Sequence, residues 1–349
     1  MRRTIARTYD SGFAFAHDTY NGMAAASDGK VYFVLSSQAP DTGAQLYRFD
    51  PAEERVAHRG DLTEACGEGD GRTIVQGKCH TVPVEADGKL YLATHCGYYD
   101  TVDGTERMGR PPAGMQPYPG GHFLGYDLGT GRFEDLGRAP FGQAILTMAM
   151  DPRRGRLYGL SWPDALFLVG DAETRGIRSL GPVPGQNETG SGIYGAICRS
   201  MALDPADGSV YFTTPAGEIL RFRVDREAIE QVEDEDMRKD YFGQYCTTAP
   251  GHMAYHWRQT FWHAGEEAIY GVHGNSGYLF RFDPRARRVE VIERLTSEPS
   301  RRSGMYDQFS YGYLGFTLAP DGRTIYYLTG APIYADGRRV TGKSSTAKG

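Results

Sequence analysis

No run of 18 apolar residues occurs in this chain of 349, so it encodes no helix long and apolar enough to span a bilayer. Its first ten residues, Met-Arg-Arg-Thr-Ile-Ala-Arg-Thr-Tyr-Asp, are basic but lack the apolar stretch of a secretory leader. As written the chain reads as cytoplasmic; a secreted or periplasmic protein whose leader has been removed would read the same. Cysteine is scarce. The five thiols (66, 79, 96, 198 and 246) are odd in number and include no Cys-x-x-Cys pair, which fits reduced side chains better than a disulfide framework or zinc ribbon. Positive charge is also in deficit, with 38 Lys and Arg against 44 Asp and Glu and a net charge of −6, which argues against a general nucleic-acid surface. No Gly-x-Ser-x-Gly elbow is present, so a serine-hydrolase reading lacks its main support.

What the chain has in excess is glycine (46) and tyrosine (23), a composition suited to tight turns and aromatic-rich strands. A turn followed by an apolar residue and tyrosine recurs: Asp28-Gly-Lys-Val-Tyr32, Asp87-Gly-Lys-Leu-Tyr91, Arg154-Gly-Arg-Leu-Tyr158, Asp207-Gly-Ser-Val-Tyr211, Glu266-Glu-Ala-Ile-Tyr270 and Asp321-Gly-Arg-Thr-Ile-Tyr326. Successive tyrosines are 59, 67, 53, 59 and 56 residues apart. The first five are each followed by a second hairpin, such as Gln45-Leu-Tyr-Arg-Phe-Asp50 or Tyr278-Leu-Phe-Arg-Phe-Asp283 with the strand after it. Two hairpins make a four-stranded blade, so the expected fold is an all-β propeller of six or seven blades forming a single domain over residues 1–349. The sixth repeat shows only its first hairpin before the chain ends, so the last blade reads as incomplete.

Asp87-Gly88 between alternating runs predicts a two-residue primed turn, which places His80 opposite His95. The long segments between blades, and the loop 96–121, are expected on one face of the ring, where the innermost strands begin. Equivalent strand starts in the repeats are Asn21, His80, Leu146, Arg199, Arg258 and Leu314. Two arginines and a histidine converging there suit a carboxylate or phosphate, because guanidinium pairs with such groups in fixed geometry. His95, Trp162 and His273 follow their repeat tyrosines by three or four residues, and His122 opens a third strand. Tyr98, Tyr99, Tyr118, Tyr194 and Trp257 are expected as walls for sugar rings, and Arg301 and Arg302 as a supplement to the anion site. His80, His95 and His122 together, or His252 with His256, are the alternatives for a metal; the residues do not decide whether one is bound.

With these features the chain resembles β-propeller enzymes acting on uronic-acid glycans: rhamnose-glucuronate lyases and their rhamnosidase-like relatives, and more loosely ulvan and oligogalacturonate lyases. The resemblance rests on the repeats, the His80/His95 hairpin and the Arg199 and Arg258 strand starts. It implies a central cleft lined by histidine, tyrosine and arginine, in some members with a divalent cation. It also implies an acidic oligosaccharide as substrate. For β-elimination, Arg199 and Arg258 would neutralise the carboxylate, His80 would remove the adjacent proton, and His95 or Tyr194 would protonate the leaving oxygen. The alternatives are a glycoside hydrolase in the same pocket and a propeller that binds glycan or protein without chemistry. Neither a membrane nor a nucleic-acid partner is expected, and the sequence fixes no oligomeric state.

Overall fold

The computed structural model describes residues 7–102, 105–189, 193–295, 315–328, 333–335 and 338–340. Among them, helix is confined to Leu62–Ala65 and a 3-10 turn at Asp240–Phe242. Five four-stranded antiparallel sheets account for most of the rest, and the fold class is the β-propeller. The first blade is Met23–Ala25, Val31–Leu35, Gln45–Asp50 and Arg55–Asp61, each strand paired with the next. The second uses Val84–Ala86, Lys89–Ala93, His122–Asp127 and Phe133–Arg138. The third runs over 144–182, the fourth over 202–236 and the fifth over 257–294.

Two expectations about connections need correction. The segment expected as one long loop, 96–121, holds a hairpin of its own, Tyr99–Val102 with Thr105–Met108. After the sixth repeat's first hairpin, Gly315–Leu318 with Ile325–Leu328, a second hairpin does form, from Ile333–Ala335 and Arg338–Val340, as a separate two-stranded sheet. Its strands are only three residues long, too short to register as a sequence pattern.

The chain packs as two compact units: Met1–Asp100, Met108–Leu146 and Gly170–Arg178 in one, and Thr101–Arg107, Thr147–Val169 and Ser179–Gly349 in the other. In the first unit the strand period of two puts Tyr32, Val34, Leu46, Leu90, Leu92, Leu124 and Tyr126 into one buried cluster with Cys66 and Cys79. Each such side chain contributes about 1.5–3 kcal/mol by leaving water. The second unit is cemented by rings: Phe167 lies 4.8 Å from Phe222 and 5.5 Å from Phe212, with Tyr158 5.4 Å from Phe222. Offset and tilted pairs at such distances add about 0.5–1.5 kcal/mol beyond burial.

The turn that opens the second blade has the expected form. Asp87 (φ 50°) and Gly88 (φ 74°) are both left-handed, and Ala86 pairs with Lys89 and Val84 with Tyr91. Continued along the ladder, that register would set His80 against His95. Instead Lys78 opposes His95, the two backbones exchanging bonds of 2.9 and 2.7 Å. The ladder ends at Val84 and Tyr91, and between there and the Lys78–His95 bridge the inner strand, through Pro83, takes up two residues more than its partner. The Thr81 hydroxyl fills part of the gap by accepting from the Ala93 N–H at 3.0 Å.

Candidate functional site

The slipped register brings Lys78, rather than His80, directly opposite His95, yet the two imidazoles still meet with centroids 5.9 Å apart. Tyr20 stacks on the other face of this group, 5.6 Å from His80, and Tyr99 lies 6.2 Å from His95. The Lys78 ammonium sits 4.3 Å from the Tyr20 ring centre and 4.5 Å from that of Tyr99. Ring faces attract a cation, by up to about 2 kcal/mol when water is excluded. Lys78, His80 and His95 are buried, while Tyr20 and Tyr99 are half-buried. Asn21 joins the group by donating from Nδ2 to the His80 carbonyl at 3.3 Å. Asn21, His80 and His95 thus lie together.

The hydrogen bonds of His95 define its chemistry. Its Nδ1 lies 2.8 Å from the Cys96 carbonyl and 2.9 Å from the Tyr99 hydroxyl, while that hydroxyl itself donates to the Cys96 carbonyl. A carbonyl only accepts, so Nδ1 carries the hydrogen and the basic lone pair is at Nε2. A ring oriented through one nitrogen with the other left basic is the arrangement that general-base catalysis uses.

His122 has a different environment. It shares a strand face with Leu124 and Tyr126, so its side chain is buried, and both nitrogens are taken: Nδ1 by Asp135 at 2.9 Å and Nε2 by Glu68 at 3.1 Å. Burial pulls its pKa down, but its hydrogen bonds to Asp135, Cys66 and Glu68 outweigh that and hold it at about 11. His122 is therefore an imidazolium clamped between carboxylates, with no nitrogen for a metal shared with His80 and His95 or for a sugar. Among the described residues no cluster of three or more His, Cys, Asp or Glu side chains is arranged to hold a metal ion.

In the second unit, Arg199 has a carboxylate partner within the protein. Its Nη2 donates to Glu188 at 3.0 and 3.1 Å and its Nη1 to the Ile197 carbonyl at 3.1 Å. Glu188, also buried, accepts from the Trp162 indole at 3.1 Å and the Ile197 N–H at 2.9 Å. The expected anion-binding arginine is thus engaged in an internal ion pair, and Trp162 is one of that pair's supports. Trp257 is fully buried, its indole donating to the Ser200 carbonyl at 2.9 Å and stacking on Phe280, which gives it a packing role instead of an open sugar-binding wall.

His256 donates from Nε2 to the Ala196 carbonyl at 2.8 Å and accepts from Thr213 at 2.9 Å. Burial pushes its pKa down to about 3, so it is a neutral strut, and spacing with His252 does not make a metal pair. His273, where the fifth blade's second strand ends, lies under Phe242 at 4.3 Å, with Nδ1 2.8 Å from the Ser276 hydroxyl. Burial lowers its pKa to about 3 as well, which keeps it uncharged. Arg258 is buried and Tyr194 half-buried in the same unit. Arg301, Arg302 and Leu314 lie outside the described residues.

Sequence reasoning missed Lys78, Tyr20, Glu68 and Glu188. Strand alternation offered a signal for Lys78, which shares parity with His80. For the two glutamates there was none, because each reaches its partner from an irregular connector.

No family model matches the sequence, and no curated protein matches it. Solved structures do. An auxiliary nutrient binding protein from Bacteroides thetaiotaomicron is 12% identical, with 89% of this chain and 67% of that one aligned at a TM-score of 0.51. A Bacteroides uniformis protein, provisionally described as a 6-phosphogluconolactonase, is 12% identical over 89% of this chain and 77% of its own, at 0.48. A structural-genomics protein of unknown function from Bacteroides thetaiotaomicron is 13% identical over 81% of this chain, at 0.47. This chain spans 61% of that protein's length. At these identities the likeness concerns the fold, and the protein is a β-propeller.

Proposed function

We propose that the protein is a carbohydrate-active enzyme that binds an acidic, uronic-acid-containing oligosaccharide at the His80/His95 cluster and cleaves it by β-elimination. The observation that carries this reading is the orientation of His95: Nδ1 is fixed by the Cys96 carbonyl and the Tyr99 hydroxyl, which puts the basic lone pair on Nε2. In the reaction His95 removes the proton adjacent to the sugar carboxylate, and the electron pair left behind forms the new double bond as the 4-linked oxygen departs. Tyr99 supplies a hydroxyl that can protonate that oxygen. His80 borders the reacting ring, and Lys78 is the nearby cation toward which carboxylate charge is drawn. The base role thereby moves from His80 to His95. Arg199, tied to Glu188, leaves the mechanism.

A second reading, binding of a glycan without chemistry, is favoured by the burial of His95, at 2% exposure. One structural neighbour is named for nutrient binding. Incubation with uronic-acid oligosaccharides, followed at the ultraviolet band of the unsaturated product, separates the two. We expect chromophore formation that falls by about 10²–10⁴ in His95→Ala. Cleavage without the chromophore means hydrolysis. Binding without cleavage means a glycan-binding propeller.

A further inference from the structure

The backbone bridge that holds His95 against Lys78 is flanked on both strands by one buried amide, that of Gln76. On its own strand Gln76 lies two residues before Lys78. Across the ladder its Oε1 accepts from the hydroxyl of Thr94, the residue before His95, at 2.7 Å, and from the Tyr118 hydroxyl at 2.6 Å. Its Nε2 donates to the Gly120 carbonyl and to Glu68, each at 2.8 Å. Two donors and two lone pairs are thus all used in a site closed to solvent.

The network continues outward on both sides. Glu68 turns its other oxygen to His122 Nε2 at 3.1 Å, and His122 Nδ1 meets Asp135. The His122 backbone N–H donates to Thr94 Oγ1 at 2.8 Å while the Thr94 N–H donates to the His122 carbonyl at 2.9 Å. Thr94 is therefore fixed by backbone and side chain together, one residue before His95. The clamped imidazolium, which the proposed chemistry does not use, holds the Glu68 carboxylate beside the Gln76 amide.

We propose that Gln76, held by the Glu68/His122 pair, is a positioning residue that sets the Lys78–His95 register and with it the ring orientation of His95. The proposal rests on the reading of His95 as the base, but its structural half can be tested alone. Gln186 provides the comparison: it too is buried, accepts from the Cys198 N–H at 2.8 Å and donates to the Thr213 carbonyl at 3.0 Å, in the unit that lacks His95.

The test is Gln76→Met beside Gln186→Met in the full chain, with the His95 ring nitrogens observed by long-range proton–nitrogen NMR. Wild-type protein should show the Nδ1-protonated tautomer. Gln76→Met should shift that signature, whereas Gln186→Met should leave it unchanged. Where uronide cleavage is measurable, Gln76→Met should lower kcat by about 10–100-fold with KM nearly constant. Glu68→Gln, which still accepts from the Gln76 amide, should fall between wild type and Gln76→Met. An unchanged His95 signature in folded Gln76→Met overturns the proposal, as does an equal shift in Gln186→Met. If no uronide is cleaved by wild-type protein, the catalytic reading falls, and the NMR comparison still decides whether Gln76 positions His95.

Discussion

Replacing Glu188 tests whether Arg199 serves stability or substrate. The Glu188 carboxylate accepts from Arg199, the Trp162 indole and the Ile197 N–H, and both members of the ion pair have side chains under 10% exposed, at 7% and 9%. Glu188→Gln keeps the shape and part of the hydrogen bonding but takes the Glu188 charge away from the buried guanidinium. Breaking a buried pair from one side typically costs about 3–5 kcal/mol. With a urea slope of roughly 3 kcal/mol per M or somewhat more for a chain of this size, the unfolding midpoint should drop by about 1 M. Arg199→Met should cost a similar amount, because it strands the carboxylate. The double variant Glu188→Gln/Arg199→Met should be less destabilised than the two singles added, with a coupling of about 2 kcal/mol or more. The assay is equilibrium urea unfolding followed by tryptophan fluorescence, Trp162 being a direct reporter. If Arg199→Met unfolds at the wild-type midpoint while weakening binding of a uronic-acid oligosaccharide, the internal pairing is not the arginine's main role and this reasoning is refuted.

Two further outcomes follow from the first unit. Because the folded pKa of His122 is raised from 6.5 to about 11, the folded chain holds a proton that the unfolded chain has lost at intermediate pH. Its stabilisation is complete below about pH 6.5 and is lost as pH rises toward 11, by at most about 1.4 kcal/mol per pH unit; urea midpoints between pH 7 and 10 should decline, and His122→Gln should flatten the decline. At Gly97 an added Cβ would lie 2.0 Å from the Ser37 carbonyl oxygen and 2.9 Å from Gly77, so Gly97→Ala should destabilise by about 1–3 kcal/mol or more, read as a lowered melting temperature, and a wild-type value would refute the close approach.

The blades were legible because their information is local. An Asp-Gly turn, a residue pair and a tyrosine at fixed offset carry the first hairpin, and alternation carries the core face. The register of the His80/His95 hairpin was legible only as far as Pro83. Beyond it the inner strand takes up two extra residues, and a rule that assumes an unbroken ladder places the wrong side chain opposite His95. Equivalence between blades survived that slip: Cys79 and Cys198, each just before a predicted site residue, make the same bond from Sγ to the carbonyl two residues on, at 3.3 and 3.1 Å. Equivalence located His80 and Arg199 without revealing their partners. The carboxylates that meet His122 and Arg199 come from connectors with no period, Glu68 reaching His122 across 54 residues and Glu188 reaching Arg199 across 11. A positive side chain at a strand start therefore identifies a place where charge is needed. Whether that charge faces a ligand or a glutamate of the same chain is settled by the irregular segments, and here Arg199 and His122 each meet a glutamate from such a segment.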